Sequence, residues 1–130
     1  MRVGGSMLLL ALCFFTALGP AAGQNKDLSG TWVGDTVVPN AEQKDILTMV
    51  LKKEGTSYAG TVTDSMGLAV AAVLEKVKFE KDTLSFEFLV HPGEQDVRVR
   101  VTLKVTGEKL AGFWESEQGD TATLELVRKK

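Results

Sequence analysis

The sequence predicts an all-β protein: an eight-stranded antiparallel up-and-down barrel. Three observations predict it. Apolar residues recur at every second position along most of the chain after residue 29, turn signals rich in Gly, Glu and Asp separate these runs, and matching positions return every 26 residues. Strict alternation marks a strand with one buried and one wet face. A meander of such strands closes on itself because closure removes unpaired edges.

The first 23 of the 130 residues stand outside that pattern. Arg2 supplies a positive charge, residues 7–18 are almost wholly apolar, Gly19-Pro20 breaks the run, and Ala21-Ala22-Gly23 offers a small-residue exit before Gln24. These are the three parts of a secretory signal peptide. A retained membrane anchor is the alternative, but a run of about a dozen residues is short for a bilayer span. Cys13 does not fit a lipidation site, because Leu12 before it is not small and residues 14–18 after it are apolar. The expected organisation is therefore a signal peptide at 1–23 and one barrel domain at 24–130, in a secreted or periplasmic protein. That domain has no cysteine, so packing and sheet hydrogen bonds must hold it together. Without Arg2 the 15 basic residues become 14 against 17 acidic ones, a net charge of −3. Such a balance argues against nucleic acid, whose recognition starts from excess positive charge.

Strands are expected near 30–36, 46–53, 57–64, 72–80, 83–90, 96–105, 109–116 and 121–128. The first opens on Gly30-Thr31-Trp32. In the second, Leu47, Met49 and Leu51 share a face, with Ile46 and Val50 on the other. In the fourth, residues 70–74 suit a helix fragment, but alternation through Val77 and Phe79 favours a strand. The fifth alternates Leu84, Phe86, Phe88 and Val90, and the sixth Val97, Val99, Val101, Leu103 and Val105. The last places Ala122, Leu124, Leu126 and Arg128 together. Tight turns are expected at 53–56, 80–82, 91–94, 106–109 and 117–120, with longer connections at 37–45 and 64–71.

Residues 47–63 (LTMVLKKEGTSYAGTVT) align with 99–115 (VRVTLKVTGEKLAGFWE), and this supports the third and seventh strands. Halving the offset of 52 places Trp32, Tyr58, Leu84 and Leu110 in one layer. Gly34, Gly60, Phe86 and Gly112 form the next, the ring of Phe86 filling the space the glycines leave, and glycine also permits the sharp strand bending that small barrels need. Thr36, Val62, Phe88 and Trp114 form a third layer toward the other end.

Gly30-Thr31-Trp32 on the first strand and Arg128 on the last resemble the calycin pattern of lipocalins, fatty-acid-binding proteins and avidins. In that superfamily a Gly-x-Trp packs under a basic residue of the final strand and seals the barrel floor. The resemblance implies the same structural role for Trp32 and Arg128. An Arg over an indole gains roughly 0.5–2 kcal/mol. Other lipocalin motifs and the aromatic and hydroxyl set of avidins are missing. Residues 38–44, with Pro39, are too short for the helical lid of the fatty-acid binders. The chain also looks like small secreted bacterial β-barrel domains of undefined role.

No catalytic residue is assigned. After the signal segment there is no Cys and a single His, His91, beside Pro92-Gly93 on the outward parity of its strand. A solvated turn histidine explains it better than a base without partners. One histidine cannot build a zinc site. Glu115, Glu117 and Asp120 lack a calcium-loop motif, and no two acids can be placed across a cleft for glycoside chemistry. Arg98, Arg100 and Lys104 read as a wet stripe paired with neighbouring acids. No metal and no cofactor is expected. What remains is binding. Loops 37–45, 64–71, 91–95 and 117–120 gather at the end opposite Trp32, where small barrels receive ligands. Residues 66–70 (MGLAV) are apolar for a loop, suiting either a lid or contact patch or a plug over the core. The expected function is a non-enzymatic barrel that binds a small apolar ligand there through Thr36, Val62, Phe88 and Trp114. The alternative is a protein-interaction module, or an inhibitor of a secreted hydrolase, acting through loops 37–45 and 64–71. Stable membrane insertion after signal cleavage is not expected.

Overall fold

A computed structural model describes residues 27–38 and 41–129. The signal segment expected at 1–23 and Pro39 lie outside them. Nine strands are present: β1 (Gly30–Thr36), β2 (Asp45–Glu54), β3 (Ser57–Asp64), β4 (Ala72–Val73), β5 (Glu75–Glu80), β6 (Thr83–Val90), β7 (Val97–Thr106), β8 (Lys109–Ser116) and β9 (Thr121–Arg128). All pair antiparallel in one sheet, in the order β4-β3-β2-β1-β9-β8-β7-β6-β5. The first long strand thus lies beside the last, with Thr36 opposite Leu124 and Trp32 opposite Arg128. The sheet curls into a nearly closed barrel whose two edges, β4 and β5, follow each other in the chain.

That pair of edges corrects the expected count of eight. The fourth strand, expected at 72–80, breaks at Leu74. Its first two residues pair back onto β3, Val73 opposite Thr61 and Ala72 opposite Val62. Its remainder pairs forward onto β6, with a register shift between Glu75 and Lys78. Lys76 takes a φ of 51° in that stretch. One segment has to serve both sides of the seam, and a bulge turns the ladder from one neighbour to the other. Two bonds cross the seam: Leu74 N–H donates to Gly60 O at 3.0 Å, and Ser57 Oγ donates to Val77 O at 3.2 Å.

Alternation sorts the side chains as the sequence implies. Val97, Val99, Val101, Leu103 and Val105 on β7 are buried, as are Leu84, Phe86 and Phe88 on β6 and Met49 and Leu51 on β2. Ile46 and Val50 face out. The outward Arg98 pairs with Glu75 at 2.6 Å and Glu87 at 3.1 Å, and Arg100 with Glu115 at 4.0 Å. The turns after β2 and β7 begin with Gly55 and Gly107 at φ of 63° and 65°, the conformation a two-residue hairpin loop asks of its first residue.

Contrary to expectation, the glycine layer does not make room for the ring of Phe86. A Cβ on Gly34, Gly60 or Gly112 would lie 1.8, 1.9 or 1.9 Å from the carbonyl oxygen of Glu125, Val50 or Thr102. The space is taken by the neighbouring strand's backbone, not by the ring of Phe86. Glycine here lets bent strands approach more closely than any side chain permits.

Candidate functional site

The two ends of the barrel are built differently. At one end Trp32 is fully buried, its Nε1 donating to Leu28 O at 2.9 Å. The Arg128 guanidinium carbon lies 4.4 Å from the centroid of that indole. Its two terminal nitrogens donate to Ser29 O at 2.5 Å and Asp27 O at 2.9 Å. Tyr58, from the same layer, accepts the Leu28 N–H on its hydroxyl at 2.9 Å. The first and last strands in the chain, β1 and β9, and the segment before β1 are thus tied together, and this end is sealed.

The other end holds a cavity of about 260 Å³. Its walls are Leu47 from β2, Phe88 from β6, Val97, Val99 and Val101 from β7, Trp114 from β8 and Leu124 from β9. Loop residues Val38, Leu68, Ala69, Pro92, Gln118 and Asp120 surround the opening, so all four loops expected at this end contribute. Of the expected ligand residues, Thr36, Phe88 and Trp114 line the cavity. Val62 does not. It is buried in the core, opposite Met49 and Ala72. Thr36 and Trp114 are joined: the indole Nε1 donates to Thr36 Oγ1 at 2.8 Å, and that hydroxyl donates to Thr123 O at 2.7 Å. Both polar groups are satisfied, so the wall they form is effectively apolar.

The rim carries three carboxyls, Asp45, Asp64 and Asp120, and among the described residues lining the cavity there is no Lys, Arg or His. Asp45 opens β2 and Asp64 closes β3, and they are only 3% and 8% exposed. Burial, followed by the hydrogen bond to Asp64 and the charge on it, pushes the Asp45 carboxyl from 3.8 to about 6. Asp45 Oδ1 accepts from the Ser65 N–H and hydroxyl, both at 3.1 Å, and from the Met66 N–H at 3.2 Å. Asp64 Oδ1 accepts from the Ala69 N–H at 2.7 Å, and its Oδ2 from the Met66 N–H at 3.3 Å. Sequence inspection passed over both acids. Parity was the available signal, since Asp45 and Asp64 stand two residues from the inward Leu47 and Val62 and therefore face inward too.

The apolar loop at 66–70 divides its side chains. Leu68 and Ala69 turn to the cavity, while Met66 and Val70 are exposed. His91 lies outside the cavity wall, its Nδ1 2.5 Å from Asp96 Oδ1. No group of three or more potential metal-ligating side chains occurs among the described residues, and none of their helices is long and apolar enough to cross a membrane. No protein-family model, curated protein or solved structure matches the chain.

Proposed function

We propose that this chain is a secreted or periplasmic, non-enzymatic, calycin-like barrel that holds one small apolar ligand at its open end. The cavity carries the proposal: about 260 Å³, walled by Leu47, Phe88, Val99, Trp114 and Leu124 and open between four loops. It exceeds the ~150 Å³ apolar cavity that accepts benzene and falls just under the ~300–1,000 Å³ of pockets for drug-sized molecules. The Trp32–Arg128 contact at the opposite end supports the calycin-like reading. The rim acids, unopposed by any base in the lining, select against a carboxylate or phosphate head. The ligand is therefore a small neutral or cationic molecule, and not a fatty acid anion.

Indole emission tests this, since Trp114 lines the cavity. Titration with 1-hexanol and hexylamine is expected to shift the emission saturably, with hexanoate at least about tenfold weaker. Val99→Phe, which puts a ring into the cavity, is expected to abolish the shift and leave the far-UV circular dichroism unchanged. No saturable response to any of the three, or an undiminished response in Val99→Phe, overturns the proposal.

A second function, a protein contact or the inhibition of a secreted hydrolase, has an observation of its own. Val37 is 56% exposed and Val70 75% exposed, both on the loops around the mouth, and Met66 joins them. Inhibition of a purified secreted hydrolase, removed by Val70→Asp, would support it. Equal activity of a panel of such hydrolases with and without the protein would count against it.

A further inference from the structure

We propose that Asp45 and Asp64 form a proton-operated latch, which holds the 65–71 segment closed over the cavity and lets it loosen when the pair loses its shared proton. This is regulation of the binding site proposed above and rests on that proposal.

The geometry has three parts. First, the two carboxyls converge: the Met66 N–H is shared between Asp45 Oδ1 at 3.2 Å and Asp64 Oδ2 at 3.3 Å, and carboxyls this close favour holding one proton between them. Both lie more than nine-tenths buried at the rim of an apolar cavity, where two adjacent negative charges repel strongly. Second, different stretches of the segment hang on different acids. Ser65 donates to Asp45 as well as to Ile46 O, Met66 is shared between Asp45 and Asp64, and Ala69 donates to Asp64. Moving the carboxyls apart therefore pulls on the segment between its two anchors. Third, the segment is built to move as a flap. Gly67 has a φ of 79° with nothing near its absent side chain, and Ala71 has a φ of 49° just before β4. Its cavity face is Leu68 and Ala69, and the Leu68 carbonyl accepts the His91 N–H at 2.9 Å, which docks the flap on the far side of the mouth.

The charges around the pair are few. The β1, β6 and β7 residues of the cavity wall are uncharged, and the segment itself carries no ionisable side chain. Asp120 faces the cavity from the loop before β9, and the solvent-exposed Lys44 precedes Asp45. Beyond the flap lies the half-exposed His91–Asp96 pair. No cation sits among the described residues of the cavity wall to neutralise a doubly ionised pair. The elevation of Asp45 to about 6 places the release of the latch just below neutrality.

Amide hydrogen exchange on the ligand-free protein tests this between pH 5 and pH 8, corrected for intrinsic rates. Protection of the Met66 and Ala69 amides is expected to fall by about tenfold or more across the range, with Val101 and Leu103 unchanged. In Asp45→Asn, whose amide still donates to Asp64 but cannot ionise, protection is expected to be flat. Asp64→Asn serves if that variant does not fold. Imidazoles change charge in the same interval, so His91→Asn is the control and is expected to keep the fall. Dissociation of 1-hexanol is expected to quicken with pH in the wild type and in His91→Asn, but not in Asp45→Asn. Flat protection in the wild type, or a fall that persists in Asp45→Asn, overturns the latch. Flat protection with normal hexanol binding sinks the latch and leaves the binding site. A normal fall without hexanol binding sinks the binding site and leaves the flap.

Discussion

Gly60 shows how little room one residue can have in this barrel. Its missing Cβ would lie 1.9 Å from Val50 O, on a strand that cannot retreat without breaking its own ladder. Gly60→Ala is therefore expected to destabilise the fold by about 1–3 kcal/mol, read as a lower urea midpoint. Arg128 lies over the Trp32 indole, donates to Ser29 O and Asp27 O and pairs with Glu108, and Arg128→Ala loses the indole stacking and both carbonyl partners together. A cost of about 2–3 kcal/mol is expected in the same assay. Arg128→Lys is expected to recover only part of it, since an ammonium cannot fork to two carbonyls while lying flat on a ring. Asp45 makes a prediction in pH. Its folded carboxyl titrates at about 6 and its unperturbed one at 3.8, so between those values the folded state holds more protons than the unfolded. Stability from this group is present below about 4 and is lost as pH rises toward about 6. This slope is opposite to that of an ion-paired acid. The difference in unfolding free energy between wild type and Asp45→Asn, followed over that window, should move against the wild type as pH rises.

At the scale of the elements, the seam between β3 and β5 is where the barrel has least to hold it. Elsewhere neighbouring strands share ladders of four to eight registered pairs, whereas β4 offers β3 only two. Leu74 fills that place from inside, buried between β4 and β5, with its N–H spent on Gly60 O. Leu74→Ala is expected to cost about 2–4 kcal/mol and to deprotect β4 and β5 amides ahead of those in β7 when exchange is followed by nuclear magnetic resonance. The hairpins on either side, closed by Gly55 and by Lys81 at φ of 63° and 57°, are local structures and should keep their protection longer.

For the whole molecule, the first-to-last pairing of β1 with β9 matters most. It makes floor and mouth parts of one curved sheet, so neither end should unfold alone. The two tryptophans report on those ends separately, Trp32 beneath Arg128 and Trp114 in the cavity wall. In a Trp114→Phe variant and in a Trp32→Phe variant, emission from the remaining indole is expected to follow the same urea transition as the circular dichroism of that variant. A mouth signal that moves before the backbone signal would mean that the upper layer melts independently.

Strand positions were legible in the residues themselves because a pleated chain has period two: the runs through Val97–Val105 and Leu84–Val90 need only be counted. The contact of Trp32 with Arg128 was expected from the resemblance of Gly30-Thr31-Trp32 and Arg128 to the calycin pattern, and parity was compatible with it, since an even number of strands in a meander brings both chain ends to one end of the barrel. The break at Leu74 left only a faint trace: Ala72 and Leu74 share one parity and Val77 and Phe79 the other, so the inward phase slips by one between them, but nothing there says that the two halves serve different neighbours. The role of Gly34, Gly60 and Gly112 was also hidden, because it belongs to the carbonyl of an adjacent strand distant in sequence. Periodicity, in short, assigns each side chain to the inner or outer face, since that depends only on near neighbours along the chain. How far the inner side chains reach across the barrel, leaving about 260 Å³ at the mouth and bringing Asp45 against Asp64, depends on contacts between strands and was decided only when the sheet curled.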